Sequence, residues 1–483
     1  MKRLLLTVAL LCFPLVAHVG VNDVFFEGLA GPYPLYVTIR PPIVIPGIAE
    51  ISIRSAAKDV KSIRFTPMTL TGAGSKYPPT PDVAVQAKED PQLFTGGLWI
   101  MFAGAWQVRA MVEGDRGLGS ISIPLPAASQ KLSTMDGLTG SILVLLMLLL
   151  AAGVIGIAGA AIRESQLGPG LKPDGVRIRR GRIGMAGGVV VSIMIIWFGR
   201  DWWNAESRAY SKSIYKPLAM QASLVGSRLE LQLSSSGWLQ PKGTDDFVAD
   251  HEQLMHLYAI REPGLDAIFH LHPERREAGK FAHEMPQMPK GKYRLFADVV
   301  HASGFPETMT ASLEVPQDLT GPSSSADDAG SVLPLGGKAD ASVALAGGGR
   351  VVFDRPSASR ANQPTTLRFR VFDKDDNPAP NLRLYLGMAA HLALVKKDFS
   401  VFSHIHPYGN ISMAAFEMAQ SSLLPLGGDV LISSHANETG SAAVPAEFSF
   451  PFGFPSAGDY RLILQFAGPK RVETVSFDIA VVN

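Results

Sequence analysis

The chain is almost without cysteine: its 483 residues hold one, Cys12. That residue lies in a hydrophobic leader, so structural disulfides and thiolate metal ligands are both excluded from everything that follows. An excess of either charge is also lacking. The net charge is +1 with 18% charged residues, which leaves no footprint for a nucleic-acid partner and no acidic tail. Enzyme signatures are missing as well. There is no Gly-x-Ser-x-Gly, phosphate loop or dinucleotide fingerprint, so the chain reads as a non-enzyme, with a metal-dependent exported enzyme ranked last. Any metal site must use His, Met, carboxylate or backbone groups, and ten of the eleven histidines lie in the C-terminal half.

What is present begins with Met1-Lys2-Arg3 and an apolar run to Val16. A basic start before a hydrophobic stretch too short to span reads as a secretory signal peptide, residues 1–17. Cleavage there would leave His18 at the N-terminus, where its amine and a ring nitrogen offer a chelate to Cu(II). Residues 18–130 read as an extracytoplasmic β-sandwich from alternating runs such as Tyr36-Val37-Thr38-Ile39-Arg40. Gly104-Ala105-Trp106, Gly291-Lys292-Tyr293 and Gly458-Asp459-Tyr460 share one form: Gly, one residue, then a large aromatic. An aromatic just inside a strand after a tight corner pins one end of an immunoglobulin-like sheet. Three such corners predict three sandwiches.

Residues 138–162 carry no charge over twenty-five positions, and residues 183–199 carry none until Arg200; both are long enough to be transmembrane helices. The intervening loop, residues 163–182, is rich in arginine and therefore cytoplasmic by the positive-inside rule. A signal peptide independently exports the N-terminal domain, and two spans return the chain to the same side. The reading is a protein of the bacterial inner membrane with all large domains extracytoplasmic. Gly153, Gly156 and Gly159 on the first span, with Gly184 and Gly188 on the second, form small-residue stripes suited to close helix packing. No ionisable residue interrupts either span, which favours an anchor over a transport path.

Beyond the spans, residues 205–316 and 349–483 follow one plan, joined by a Gly/Ser/Asp-rich flexible linker over residues 317–348. Each copy has an upstream His, a His-x-His-Pro segment, the Gly-x-Tyr-Arg-Leu corner and a closing alternating strand. In the first, Met255-His256 precedes Phe269-His270-Leu271-His272-Pro273; in the second, Met388 and His391 precede Phe402-Ser403-His404-Ile405-His406-Pro407. Side chains alternate faces along a strand, so His270 and His272 point one way, as do His404 and His406. Two such imidazoles form a chelate, and His256 or His391 on a neighbouring strand supplies a third ligand. His301 is a further candidate for the first site. Met255 and Met388 add thioethers, and thioether with imidazole suits copper better than zinc. A structural use of the same imidazoles, bracing a loop through backbone carbonyls, is the alternative.

The Gly387-Met388-Ala389-Ala390-His391 and Phe-x-His-x-His-Pro segments resemble repeats in a group of bacterial exported, membrane-anchored proteins. Gly31-Pro32-Tyr33-Pro34, with Val37-Thr38-Ile39, is similar to YtkA-like and CopC-like immunoglobulin-type domains. The resemblance implies β-sandwiches and, for the CopC group, periplasmic copper handling. The expected fold is mainly β: three immunoglobulin-like β-sandwich domains plus a two-helix transmembrane hairpin. The expected function is copper homeostasis or delivery through two duplicated sites, with zinc as the alternative ion. The expected partners are the lipid bilayer and a membrane transporter or oxidase. An assembly protein with structural histidines is the alternative function.

Overall fold

The computed structural model describes residues 23–238, 243–321, 327–333, 341–421 and 444–483. The signal peptide and His18 lie outside the described residues. Among the described residues, strands form six antiparallel sheets, which pair into three sandwiches. The chain is therefore mainly β, with two helices apolar enough to cross a membrane. It divides into two units, one holding the sandwiches and one holding the helix pair, Ser129–Tyr215 with Gly237–Leu239.

The three aromatic corners form as expected. Gly104, Gly291 and Gly458 have φ of 147°, 149° and 140°, a region open only to glycine. In each case the aromatic reaches back four residues. Trp106 Nε1 donates to the Phe102 carbonyl (3.0 Å), Tyr293 Oη to Pro289 (2.7 Å) and Tyr460 Oη to Ser456 (2.7 Å).

In the helical unit, Gly137–Glu164 and Gly175–Ser211 are opened by Asp136 and Asp174, whose carboxylates accept the Thr139 and Arg177 backbone N–H groups. The second helix extends past both ends of the apolar run, so part of the expected basic loop is helical. Hydropathy marks the part that fits a bilayer, whereas capping sets where the helix starts. Gly159, Gly184 and Gly188 lie where the helices cross, joined by Gly181. A Cβ on Gly153 or Gly156 would meet nothing within 4 Å, so these two expected members do not take part.

The expected flexible linker is partly sheet. Ala329–Val332 pairs with Ala267–Leu271, and Ser342–Ala344 with Arg350–Asp354. Small residues there serve close approach as well as flexibility, because a Cβ on Gly330 would collide with the Phe269 ring.

The decisive feature is how the two repeats meet. In the first, His256–Glu262 lies between Ala267–Leu271 and Gly291–His301; in the second, His391–Lys396 lies between Phe402–Ile405 and Gly458–Ala467. Inward residues of these strands fill each repeat's own core, Leu257, Ala259 and Leu271 in one, Leu392, Leu394 and Ile405 in the other. The outward faces pack on each other through Tyr258, Ile260, Ile268 and Phe296 against Ala393, Val395, Phe402 and Ile463. Phe296 and Phe402 stack at 4.3 Å. Both faces of these strands are thus buried, and the histidines ride on the shared interface.

Candidate metal centre

The two His-x-His hairpins have one register. His270 stands opposite Tyr258 and Leu271 opposite Leu257, while His404 stands opposite Ala393 and Ile405 opposite Leu392. Carried one step further, the ladder sets His256 across from His272 and His391 across from His406. The upstream spacing differs by one residue between copies, and the connecting turn absorbs it without shifting the ladder.

This pairing brings together His256, His270 and His272 in one group and His391, His404 and His406 in another, the ligand nitrogens of each lying within 4.8 Å of one another. His256 Nδ1 lies 3.1 Å from His270 Nε2, and His391 Nδ1 lies 3.0 Å from His404 Nε2. Two imidazoles on one tetrahedral ion, with bonds of about 2.0–2.1 Å, place their nitrogens about 3.3 Å apart. The groups also touch each other: His256 and His270 have ring centroids 5.4 and 5.6 Å from that of His404. Two sites expected in separate domains form one continuous cluster.

Each outer nitrogen faces an oxygen. His256 Nε2 donates to the Asp250 carbonyl (3.0 Å) and His391 Nε2 to the Tyr385 carbonyl (2.9 Å), six residues upstream in both copies. His272 Nδ1 donates to Asp328 Oδ1 (3.1 Å), His406 Nδ1 to the Ile411 carbonyl (3.3 Å) and His270 Nδ1 to Gln465 Oε1 (3.1 Å). His404 Nδ1 stands 3.7 Å from Asp298 Oδ2. The hydrogen bonds among these contacts fix the tautomers of His256, His270, His272, His391 and His406 and leave their inner nitrogens as lone pairs, the arrangement that second-shell groups impose on metal-binding imidazoles. His272 Nε2 is buried without a hydrogen-bond partner among the described residues.

The electrostatics favour neutral rings. Burial, reinforced by neighbouring imidazoles, pushes His270, His391, His404 and His406 well below the ordinary range and His256 down to about 3. Burial raises Asp328, but hydrogen bonds from His272 and His283 outweigh it and hold the carboxyl well below its usual value. Neutral imidazole is the form that binds metal.

The other predicted residues go elsewhere. His301 Nδ1 meets Asp246 (2.7 Å) and Nε2 meets Glu307 (2.8 Å), so both its nitrogens are engaged by carboxylates and its ring stacks edge-on to Phe247. Met255 packs in the core of the first repeat. Met388 is buried in the Tyr385–Met388 turn. Sequence reasoning missed Asp328, which lies in the stretch read as linker, and Gln465, which is an unremarkable polar residue in an apolar strand. It also did not assign His251 to a site. His251 stands on an irregular turn, where no periodicity could point to it.

The N-terminal sandwich contributes a brace. Asn410, in the loop after His406, accepts from the Phe25 N–H (2.8 Å) and donates to the Asp23 carbonyl (2.8 Å), while Ile411 and Phe416 join the N-terminal core. That loop carries the carbonyl that orients His406.

Residues 221–317 and 344–483 match a family model described as a domain of unknown function, DUF8832. These stretches make up most of the two repeat sandwiches. No curated protein matches the sequence. Among solved structures, the chain is similar to the tetra-tandem repeat in the extending region of a large adhesion protein, at 9% identity over 94% of this chain and 82% of that one, with a TM-score of 0.16. It is also similar to Escherichia coli alpha-2-macroglobulin activated by porcine elastase, at 9% identity over 95% of this chain and 44% of that one, with a TM-score of 0.20. At such scores neither likeness bears on function.

Proposed function

We propose that this is a membrane-anchored metal-binding protein that holds ions at His256, His270 and His272 and at His391, His404 and His406. Its role is copper homeostasis or delivery on the extracytoplasmic side, with zinc as the alternative ion. The observation that carries this reading is the set of inner nitrogens. His256 Nδ1 and His270 Nε2, 3.1 Å apart, face each other as lone pairs because their outer nitrogens are committed to oxygens, and His391 Nδ1 and His404 Nε2 stand 3.0 Å apart in the equivalent place. Buried lone pairs held this close repel and lack a donor, which burial makes costly; one shared cation relieves both. With Met255 in the core, the first donor set is nitrogen alone. Affinity at such a site follows the general order in which Cu(II) exceeds Zn(II).

The two apolar helices anchor the chain in the lipid bilayer, and the arginine-rich segment between the apolar runs supports an extracytoplasmic position for the sandwiches. A transporter or oxidase would be a partner consistent with that place.

A second reading has its own support. The bonds from His256, His391 and His406 to backbone carbonyls would brace loops without any ion. Metal analysis of the full chain in detergent, stripped and then titrated with Cu(II) or Zn(II), separates the two. Stoichiometric binding lost in His270→Ala/His272→Ala and His404→Ala/His406→Ala is expected. Absence of any binding tighter than micromolar would leave only the bracing role.

A further inference from the structure

The second triad has a neighbour from the wrong repeat. His251 belongs to the first repeat, yet its Nε2 lies 3.2 Å from Nε2 of His406, and its ring centroid is 4.7 Å from that of His406 and 5.4 Å from that of His391. The Nδ1 edge of the His251 ring lies beside Gly387, so Nε2 is the nitrogen turned toward His406. His406 has its own Nδ1 bonded to Ile411. The two Nε2 atoms thus face each other at a separation that one shared ion would also give.

The placement of His251 is built. It sits at φ 51° with Glu252 at φ 68°, a left-handed pair that residues with a Cβ adopt only when their surroundings demand it. The turn is closed by reciprocal bonds between Asp250 and Gln253, at 2.9 and 3.0 Å. It is tied to both repeats: the Asp250 carbonyl accepts from His256, and the Asp250 carboxylate accepts the Ala414 N–H at 2.8 Å.

We infer that His251 is a fourth ligand to the ion at His391, His404 and His406, donated by the first repeat to the second. This inference rests on the metal-binding reading above. It makes the two sites different in kind. The second ion is closed by four imidazoles and clamps the two repeats together, as a structural site does. The first ion, with His256, His270 and His272, keeps a position open for exchange or for a small exogenous ligand.

The test is a Zn(II) titration of the full-length protein in detergent against a competing chelator, comparing wild type with His251→Asn. Asparagine tolerates the left-handed turn that alanine would strain. Wild type should bind two ions with distinct affinities. His251→Asn should weaken the tighter by ten-fold or more, as loss of even a supporting partner does, and leave the other unchanged. His272→Ala identifies the other by weakening it alone. Co(II) substitution gives a second readout: the strong visible bands of a four-coordinate ion should fade in His251→Asn. If that variant alters metal-free unfolding, His251→Gly, which is unstrained at positive φ, is read in the same way. Two ions held with wild-type affinity in both variants would overturn the fourth ligand and leave the triads standing. A wild type that binds no ion would overturn the triads and this inference together.

Discussion

His270 donates its Nδ1 proton to Gln465 Oε1 across the interface between the repeats, at 3.1 Å. The relationship is reciprocal: His404 of the second repeat faces Asp298 of the first at 3.7 Å. Asp298 stands opposite His256 in its sheet and Gln465 stands opposite His391 in its own, so the two are equivalent positions. The second repeat orients the middle imidazole of the first, and Asp298 stands at the matching place near His404. Gln465 also donates to Thr474 through Nε2, which turns its oxygen toward His270.

Gln465→Ala should therefore weaken the ion at His256, His270 and His272, although Gln465 lies in the other repeat. Second-shell losses run to about 10–100-fold in affinity. Competition titration with a chelator checks it, and an effect confined to the other ion would contradict the crossed arrangement.

Asp328 holds both His272 and His283, at 3.1 and 3.2 Å. Asp328→Asn keeps the shape but removes the charge and one acceptor. A loss of about 10–100-fold at the first site is expected on the same grounds, together with lower metal-free stability. Equal metal affinity in the variant would show that His272 needs no carboxylate to orient it.

The metal-free protein should be acid-labile. Burial holds His251 down to about 4 and His256 down to about 3, with His270, His391, His404 and His406 also well below their usual value. Unfolded imidazoles titrate near about 6.5. Below that pH the unfolded chain binds protons that the folded one refuses, so stability falls as pH falls, by up to about 1.4 kcal/mol per pH unit for each ring. Asp298, raised by burial to about 7, works the other way, because its folded form takes up a proton first as pH drops. His301 also opposes the trend: burial lowers it, but Glu307 and Asp246 raise it on balance. Six rings outweigh these. The unfolding temperature of the stripped protein should drop between pH 7.5 and 5, and a flat profile would refute buried neutral imidazoles.

Tyr258 stacks on His270 at 4.2 Å, and its hydroxyl is buried with no hydrogen-bond partner among the described residues. A buried unsatisfied polar group costs about 1–3 kcal/mol. Tyr258→Phe should raise metal-free stability by about 1 kcal/mol in denaturant unfolding. Destabilisation instead would mean that the hydroxyl has a partner in solution.

The corner tyrosines make the opposite prediction. Tyr293→Phe and Tyr460→Phe each remove a donor from a backbone carbonyl bonded at 2.7 Å. Each should lower stability by about 1 kcal/mol, measured by denaturant unfolding, with metal affinity unchanged. A change in metal affinity would mean that the corners reach the site.

Local patterns carried much of this structure. Alternation marked the strands, the Gly-x-aromatic corners marked three sandwiches, and uncharged runs marked two helices. The His-x-His spacing placed His270 with His272 and His404 with His406, because a strand's period of two is a property of the backbone itself. That His256 and His391 would join them followed from one strand pairing with its neighbour.

What the sequence could not determine is what covers the outer face of a strand. Tyr258, Ile260, Phe402 and Ile463 occupy positions that face water in a lone sandwich, and only the docking of one repeat on the other makes them an interface. That docking merged two triads into one cluster, crossed Gln465 and Asp298 between copies and brought His251 to His406. Packing within the first repeat drew Asp328 out of a supposed linker and set His301 between Asp246 and Glu307. Contacts between residues far apart in the chain depend on how whole sheets pack, and no spacing rule encodes them.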